Sequence, residues 1–228
     1  MKRLFILFTF IAAFVLGGCA ATQKMALQNS AEKITEASPP LFLMTVDLKN
    51  EYRSRYQPQL LSVNIEKRTS AEKPELLRFS MDNAGTVYTG KDEDQTRYLL
   101  RMGLEPGAYE IRNLMALGRA FPFHALFFAP LNFPLSSTDK GVFYLGHVRA
   151  SVRERQGNEF RAGPVIPLID QGVAGASGGT FDIVVSDQWD TDQALFEKNF
   201  PALKGIEVRK SLVPAFDRAK AQKLWEAQ

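Results

Sequence analysis

"TRYLLRMGLEPGAYEIRNLMAL" spans residues 96–117 and holds two short apolar runs, 96–104 and 108–117, parted by a proline and a glycine. Runs of this length, bounded by turn residues, read as β-strands. Pro106 and Gly107 in "LEPGAY" are placed for positions i+1 and i+2 of a type II turn, where glycine supplies the positive φ. Working outward, the same texture recurs in "LFLMTVDLKN" (41–50), "PQLLSVNIEK" (58–67), "ELLRFSMD" (75–82), "FPFHALFFAPLNF" (121–133), "GVFYLGHVRASVRER" (141–155) and "TFDIVVSD" (180–187). Gly, Pro, Asn and Asp punctuate the gaps. This series predicts a mainly β chain, an antiparallel β-sandwich over residues 41–187.

Past Asp187 the pattern changes, and residues 188–228 predict a small C-terminal α/β appendage. Asp190 is placed as a helix N-cap with Gln193 in capping-box position. Leu195, Phe196 and Phe200 make one apolar face before Pro201 stops the helix. "GIEVRKSLV" (205–213) alternates like an edge strand. Pro214 then stands at the first position of a second helix, with Phe216, Ala219 and Leu224 on one side.

The other end of the chain speaks to location. Lys2 and Arg3 precede thirteen residues, 4–16, that are apolar except for Thr9, and small residues follow. This is the layout of a secretory signal, too short in its apolar core to span a bilayer as a helix. Leu16-Gly17-Gly18-Cys19 resembles the lipobox of bacterial lipoproteins. The resemblance implies cleavage after residue 18, acyl chains on Cys19, and, with Ala20 next, delivery to the outer membrane of a Gram-negative envelope. It fits the chemistry: a thiolate takes up the glyceryl group, and two or three acyl chains hold firmly where one does not. Residues 19–40, mostly small and polar and ending in Pro39-Pro40, predict a flexible tether with a marginal helix near 24–36. Such a tether would hold the domain roughly 25 Å off the membrane.

Cys19 is the only cysteine, so an extracytoplasmic domain here rests on its hydrophobic core and not on disulfides. Removal of residues 1–18 leaves 26 basic against 25 acidic residues, a balance that gives no reason to expect a nucleic-acid partner. The chain's 17 Phe and 45% hydrophobic content suffice for a core.

The stretch "GLEPGAYEIRNLMAL … FFAPLNFPLSSTDKGVFYLGHV" resembles a class of uncharacterised bacterial lipoproteins with a "PGxY" turn, an aromatic-proline strand and a "YLG" strand. "AGPVIPLIDQ … SGGTFDIVVSDQWDTDQALFEKNFPAL" resembles the tail of the same proteins. The resemblance spans about residues 96–205 and implies an immunoglobulin-like or transthyretin-like sandwich in the cell envelope, with no active site to carry over.

Candidate sites follow from residue types. Gly175-Ala176-Ser177-Gly178-Gly179 matches G-x-S-x-G, but a strand pattern follows it, and both histidines, His124 and His147, precede Ser177. "QGVAGASGG" lacks the Lys-Ser/Thr ending of a phosphate loop. Asp187, Asp190 and Asp192 lie close in sequence without calcium-loop spacing, and acids at a helix start have a simpler reason in the helix dipole. Two distant histidines offer no transition-metal set, and no cofactor is expected. His147, Arg149, Ser151, Arg153 and Arg155 share one strand face, a basic stripe suited to anionic head groups or an acidic partner, or else an ordinary solvated face. In "FPFHALFFAPLNF", Phe121, Phe123 and Phe127 face one way and Leu126 and Phe128 the other. The strand is then buried on both faces, or one face lines a groove. These readings favour a membrane-anchored, non-enzymatic binding or structural module with an envelope protein partner. A hydrophobic-ligand carrier using Phe121–Phe133 is the alternative, and a hydrolase at Ser177 comes after it.

Overall fold

The computed structural model describes residues 21–29, 31–69, 74–89, 95–120, 123–165 and 172–227. The signal segment, Cys19 and Phe121 lie outside these residues, as does the side chain of Phe123.

Eleven strands and two helices are formed: β1 (Ala21–Lys24), β2 (Leu41–Asn50), β3 (Pro58–Arg68), β4 (Glu75–Ser80), β5 (Thr86–Thr89), β6 (Gln95–Gly103), β7 (Gly107–Ala120), β8 (Phe123–Ser137), β9 (Val142–Glu154), β10 (Gly179–Ser186), α1 (Trp189–Asn199), β11 (Val208–Lys210) and α2 (Arg218–Glu226). A first sheet has the order β1-β4-β3-β7-β8 and a second β10-β9-β2-β6-β5, with β11 on β9. Their inner faces meet in one cluster that includes Phe42, Met44 and Val46 of β2 and Ile65, Ile111, Leu114, Phe127 and Phe133 of the first sheet. Phe127 packs edge-on against Phe181 across the interface, ring centroids 6.4 Å apart.

Both sheets are mixed, which corrects the antiparallel expectation. β2 runs parallel to β9, β1 to β4, and β11 to β9. A parallel neighbour cannot be reached by a hairpin, and between β2 and β9 the chain visits the other sheet twice. The "LEPG" segment makes one of these crossings. β6 belongs to the second sheet and β7 to the first, and Gly107 opens β7 without the positive φ of a type II turn.

The predicted tether is also corrected. From Ala21 the chain forms β1, parallel to β4 in the register Ala21↔Leu77 to Lys24↔Ser80. Met25 and Leu27 are buried. Arg101 receives the Ala26 N–H on its carbonyl (2.9 Å) and returns its Nε–H to the Ala26 carbonyl (2.9 Å). This strap closes one open side of the two sheets. Segment 155–165 and α2 close the other: Phe128 of β8 donates to the Ala162 carbonyl, and Ala162 donates to Gly179 of β10, both at 2.7 Å. Paired or covered edges of this kind leave little template for association.

α1 lies on the outer face of the second sheet. Phe196, Phe200 and Leu203 pack there with Leu27, Leu41, Leu43, Leu99 and Tyr144. Its N-cap is Gln188, not Asp190, and Asp187 Oδ1 accepts the Trp189 N–H instead (3.1 Å). α2 is capped by Asp217, which accepts the Lys220 N–H (2.9 Å), so Pro214 stands three residues ahead of its cap.

Candidate functional site

Two irregularities in the strands build the polar structure of this molecule. In β7, Asn113 pairs with Asn64 and Ile111 with Ile65, so one step on β3 answers two on β7. A regular strand would send Arg112 and Asn113 to opposite faces. The bulge turns both toward the outside of the first sheet, into a cavity of about 330 Å³.

Phe128, Pro130 and Asn132 of β8 form the floor of this cavity; Phe160, Arg161, Gly163 and Pro164 form one wall, and Ala221, Leu224 and Trp225 of α2 the other. The wall comes close to the sheet because residue 163 is glycine: a Cβ there would stand 2.1 Å from the Leu126 carbonyl oxygen. α2 is held over the floor by Lys220, which donates to the Asn132 carbonyl (2.9 Å), and by Gln222, which accepts from Phe160 N–H (2.7 Å). Arg112 is braced by Glu110 at 3.0 Å and Arg161 by the Ser177 carbonyl at 2.5 Å. Burial pushes the Glu110 carboxyl up, but hydrogen bonding from Arg68 and the charges of Lys220 and Arg112 outweigh it and hold it below the usual range. The lining thus joins aromatic and aliphatic surface to two guanidinium groups, with no carboxylate among its residues.

The second irregularity is in β9. Leu43 pairs with Tyr144 and Thr45 with His147, three steps on β9 against two on β2. Gly146 takes φ +117° in this bulge, a region that side chains disfavour. Tyr144 and His147 therefore share the outer face, beneath α1. The expected basic stripe is corrected at this point. His147 is 2% exposed and lies between Asp192 of α1 (Nδ1, 3.1 Å) and Asp47 of β2 (Nε2, 3.0 Å). Asp47 also takes two hydrogen bonds of 2.8 Å from Arg97, and Asp192 accepts one of 2.6 Å from the Tyr144 hydroxyl. With a carboxylate on each ring nitrogen, both nitrogens donate, so the ring is an imidazolium. Burial lowers the His147 pKa, but hydrogen bonds and charge from Asp192 and Asp47 raise it to about 9. Burial likewise opposes ionisation of Asp47, and its bonds to His147 and Arg97 hold it at about 2.

Arg153 and Arg155 are engaged as well. Arg153, Glu159, Arg218 and Asp182 form a closed ring of alternating charge that ties α2 to β9, β10 and the segment between them. Arg155 lies over the Trp225 ring, 5.7 Å from its centre, and donates to the Glu159 carbonyl. Arg149 is exposed.

Of the apolar run, Phe127 is buried between the sheets and Phe128 faces the cavity, so the strand's two faces serve core and groove separately. His124 is exposed. Ser177 sits in a turn that runs directly into β10, not into a helix, and both nitrogens of His147 are committed elsewhere. The three aspartates do not converge: Asp187 pairs with Lys210, Asp192 with His147, and Asp190 is exposed. Among the described residues no group of three or more His, Cys, Asp or Glu is arranged to hold a metal ion. No described helix is long and apolar enough to cross a membrane.

No protein-family model, curated protein or solved structure matches this chain. The site must be read from its own chemistry. Asp192 and the bulge at Arg112 escaped the sequence reading. An aspartate at a helix start has a sufficient local explanation, and a bulge carries no residue signature unless glycine marks it.

Proposed function

We propose that this chain is an exported lipoprotein, anchored through acyl chains on Cys19, whose domain is a non-enzymatic binding module of the outer membrane. Its ligand is a compact anionic amphiphile held in the cavity between β7, β8, segment 160–164 and α2. The observation that carries the reading is the composition of that cavity: Phe128, Phe160, Leu224 and Trp225 offer apolar surface, and Arg112 and Arg161 offer positive charge at its border. Its volume lies at the small end of the range for ligand pockets. At about 30 Å³ per water-sized unit, it suits a molecule of roughly ten heavy atoms.

Guanidinium is the group of choice for carboxylate and phosphate, because its planar fork matches two oxygens. The kinship with immunoglobulin-like or transthyretin-like sandwiches belongs to the same reading and is supported by two sheets packed face to face. An envelope protein partner fits beside the ligand, since confinement to a membrane raises the effective concentration of neighbours.

The test compares octanoate with octylamine, which share a chain length and differ in charge. With Trp189→Phe, Trp225 becomes the only tryptophan and reports from the cavity wall. Octanoate should shift its emission saturably and bind at least about tenfold tighter than the amine, and Arg161→Gln should erase that preference. Equal binding of the two, or no binding of either, would remove the proposal.

A further inference from the structure

We infer that the domain is seated directly on the bilayer in one orientation, with the β1-start end of the first sheet against the lipid head groups. This rests on the reading of Cys19 as the acylated residue. A lipoprotein domain on a twenty-residue tether would sample a shell roughly 25 Å deep. Here the slack is gone. β1 begins at Ala21, so one residue, Ala20, separates Cys19 from a hydrogen-bonded strand. Covalent geometry alone keeps their Cα atoms within about 7 Å.

The strand is not a loose end that membrane attachment could peel away at little cost. It pairs along all four residues with β4, and the chain continues into buried Met25, the doubly bonded Ala26 and buried Leu27. The Leu27 N–H is then taken by Glu32 at 2.6 Å.

Topology decides which surface meets the lipid. β4 runs parallel to β1, so its start, Glu75 and Leu76, lies beside Ala21. β3 is antiparallel to β4 and ends there with Lys67 and Arg68; β7 starts there at Gly107, and β8 ends there at Ser136. Leu76 is one of the few large apolar side chains left exposed, at 43%. Lys67 and Arg68 supply charge for anionic head groups, with Glu75 and Glu105 as the carboxylates of the same end. The occupant of this end is therefore the membrane. The seat also fixes the height of the cavity: five residues along β7 separate Ala108 from Asn113, about 17 Å at 3.3 Å per residue.

The acylated chain itself permits a direct test. Acylation consumes the only thiol, so an introduced cysteine is the sole labelling site. Leu76→Cys lies at the seated end. Gln59→Cys lies on β3, seven residues from Glu66, the cross-strand partner of Leu76, or about 23 Å toward the opposite end. Each is labelled with bimane and reconstituted in vesicles of phosphatidylethanolamine and phosphatidylglycerol (3:1) carrying a head-group quencher. Quenching at 76 should exceed that at 59 at least threefold. Twenty Gly/Ser residues inserted between Ala20 and Ala21 should abolish the difference while vesicle binding persists. Equal quenching in an acylated protein without the insert overturns the seating alone. An unmodified Cys19, shown by mass and by failure to enter a detergent phase, overturns the lipoprotein reading and the seating with it.

Discussion

His147 is the residue whose role departs most from its neighbourhood in the sequence. It stands in a run of arginines, yet it is buried as a cation between Asp47 and Asp192. Removing one partner of such an arrangement leaves an uncompensated charge, which costs about 3–5 kcal/mol. The pH dependence has a definite sign. The folded pKa of about 9 lies above the unfolded 6.5, so the stabilisation is fully present below pH 6.5 and is lost as pH rises through 9. Asp47 acts at the other end, where its contribution is present above 3.8 and is lost as pH falls through about 2. His147→Gln should therefore destabilise the protein by roughly 3 kcal/mol in urea unfolding at pH 6, and the gap to the parent should close above pH 9. A gap that does not change with pH would show that the imidazolium contributes nothing.

β8 shows how a single element can carry two kinds of surface. Phe127 points between the sheets and is fully buried, whereas Phe128, one residue on, forms the cavity floor. The two positions should therefore separate stability from binding. Phe127→Ala opens a hole in the core and should cost about 3–5 kcal/mol. Phe128→Ala should cost about 1 kcal/mol or less, because one side of the ring already faces open space, and should weaken octanoate binding several-fold. Paired urea melts and octanoate titrations check this; equal losses of stability would mean that the cavity is packed like core. Periodicity made this division legible, since adjacent residues of a strand face opposite ways. The bulges were not legible, because at Arg112 nothing in the residue types marks the extra step, and Gly146 alone does not say which neighbours it realigns.

At the scale of the molecule, two stacked sheets leave two open sides, and the chain closes both with its own ends. The N-terminal strap covers one with Met25 and Leu27; α2 covers the other with Ala221 and its ring of ion pairs. The strap is thus part of the cooperative fold. Met25→Lys should lower stability by roughly 2–4 kcal/mol, combining lost burial with an unpaired buried charge. No change in the urea midpoint would return this segment to the status of a tether. "AATQKMALQNS" did not announce itself as structure, because its apolar residues are few and a four-residue strand has no period to recognise. Likewise β5 was missed, and the crossover at "LEPG" reads from sequence like any tight turn.

The sequence by itself determined the strand content, the positions of eight strands and the polarity of each strand face. These depend on local apolar runs, on alternation and on turn residues, which are encoded within a few positions of one another. Only the tertiary structure decided that β2 and β9 lie parallel, that Asp192 meets His147 forty-five residues away, and that Arg112, Arg161 and Trp225 border one cavity. Each of these depends on bulge phase and on which sheet the chain enters next. Both are settled by the joint burial of side chains distant in sequence, a quantity that no local window contains.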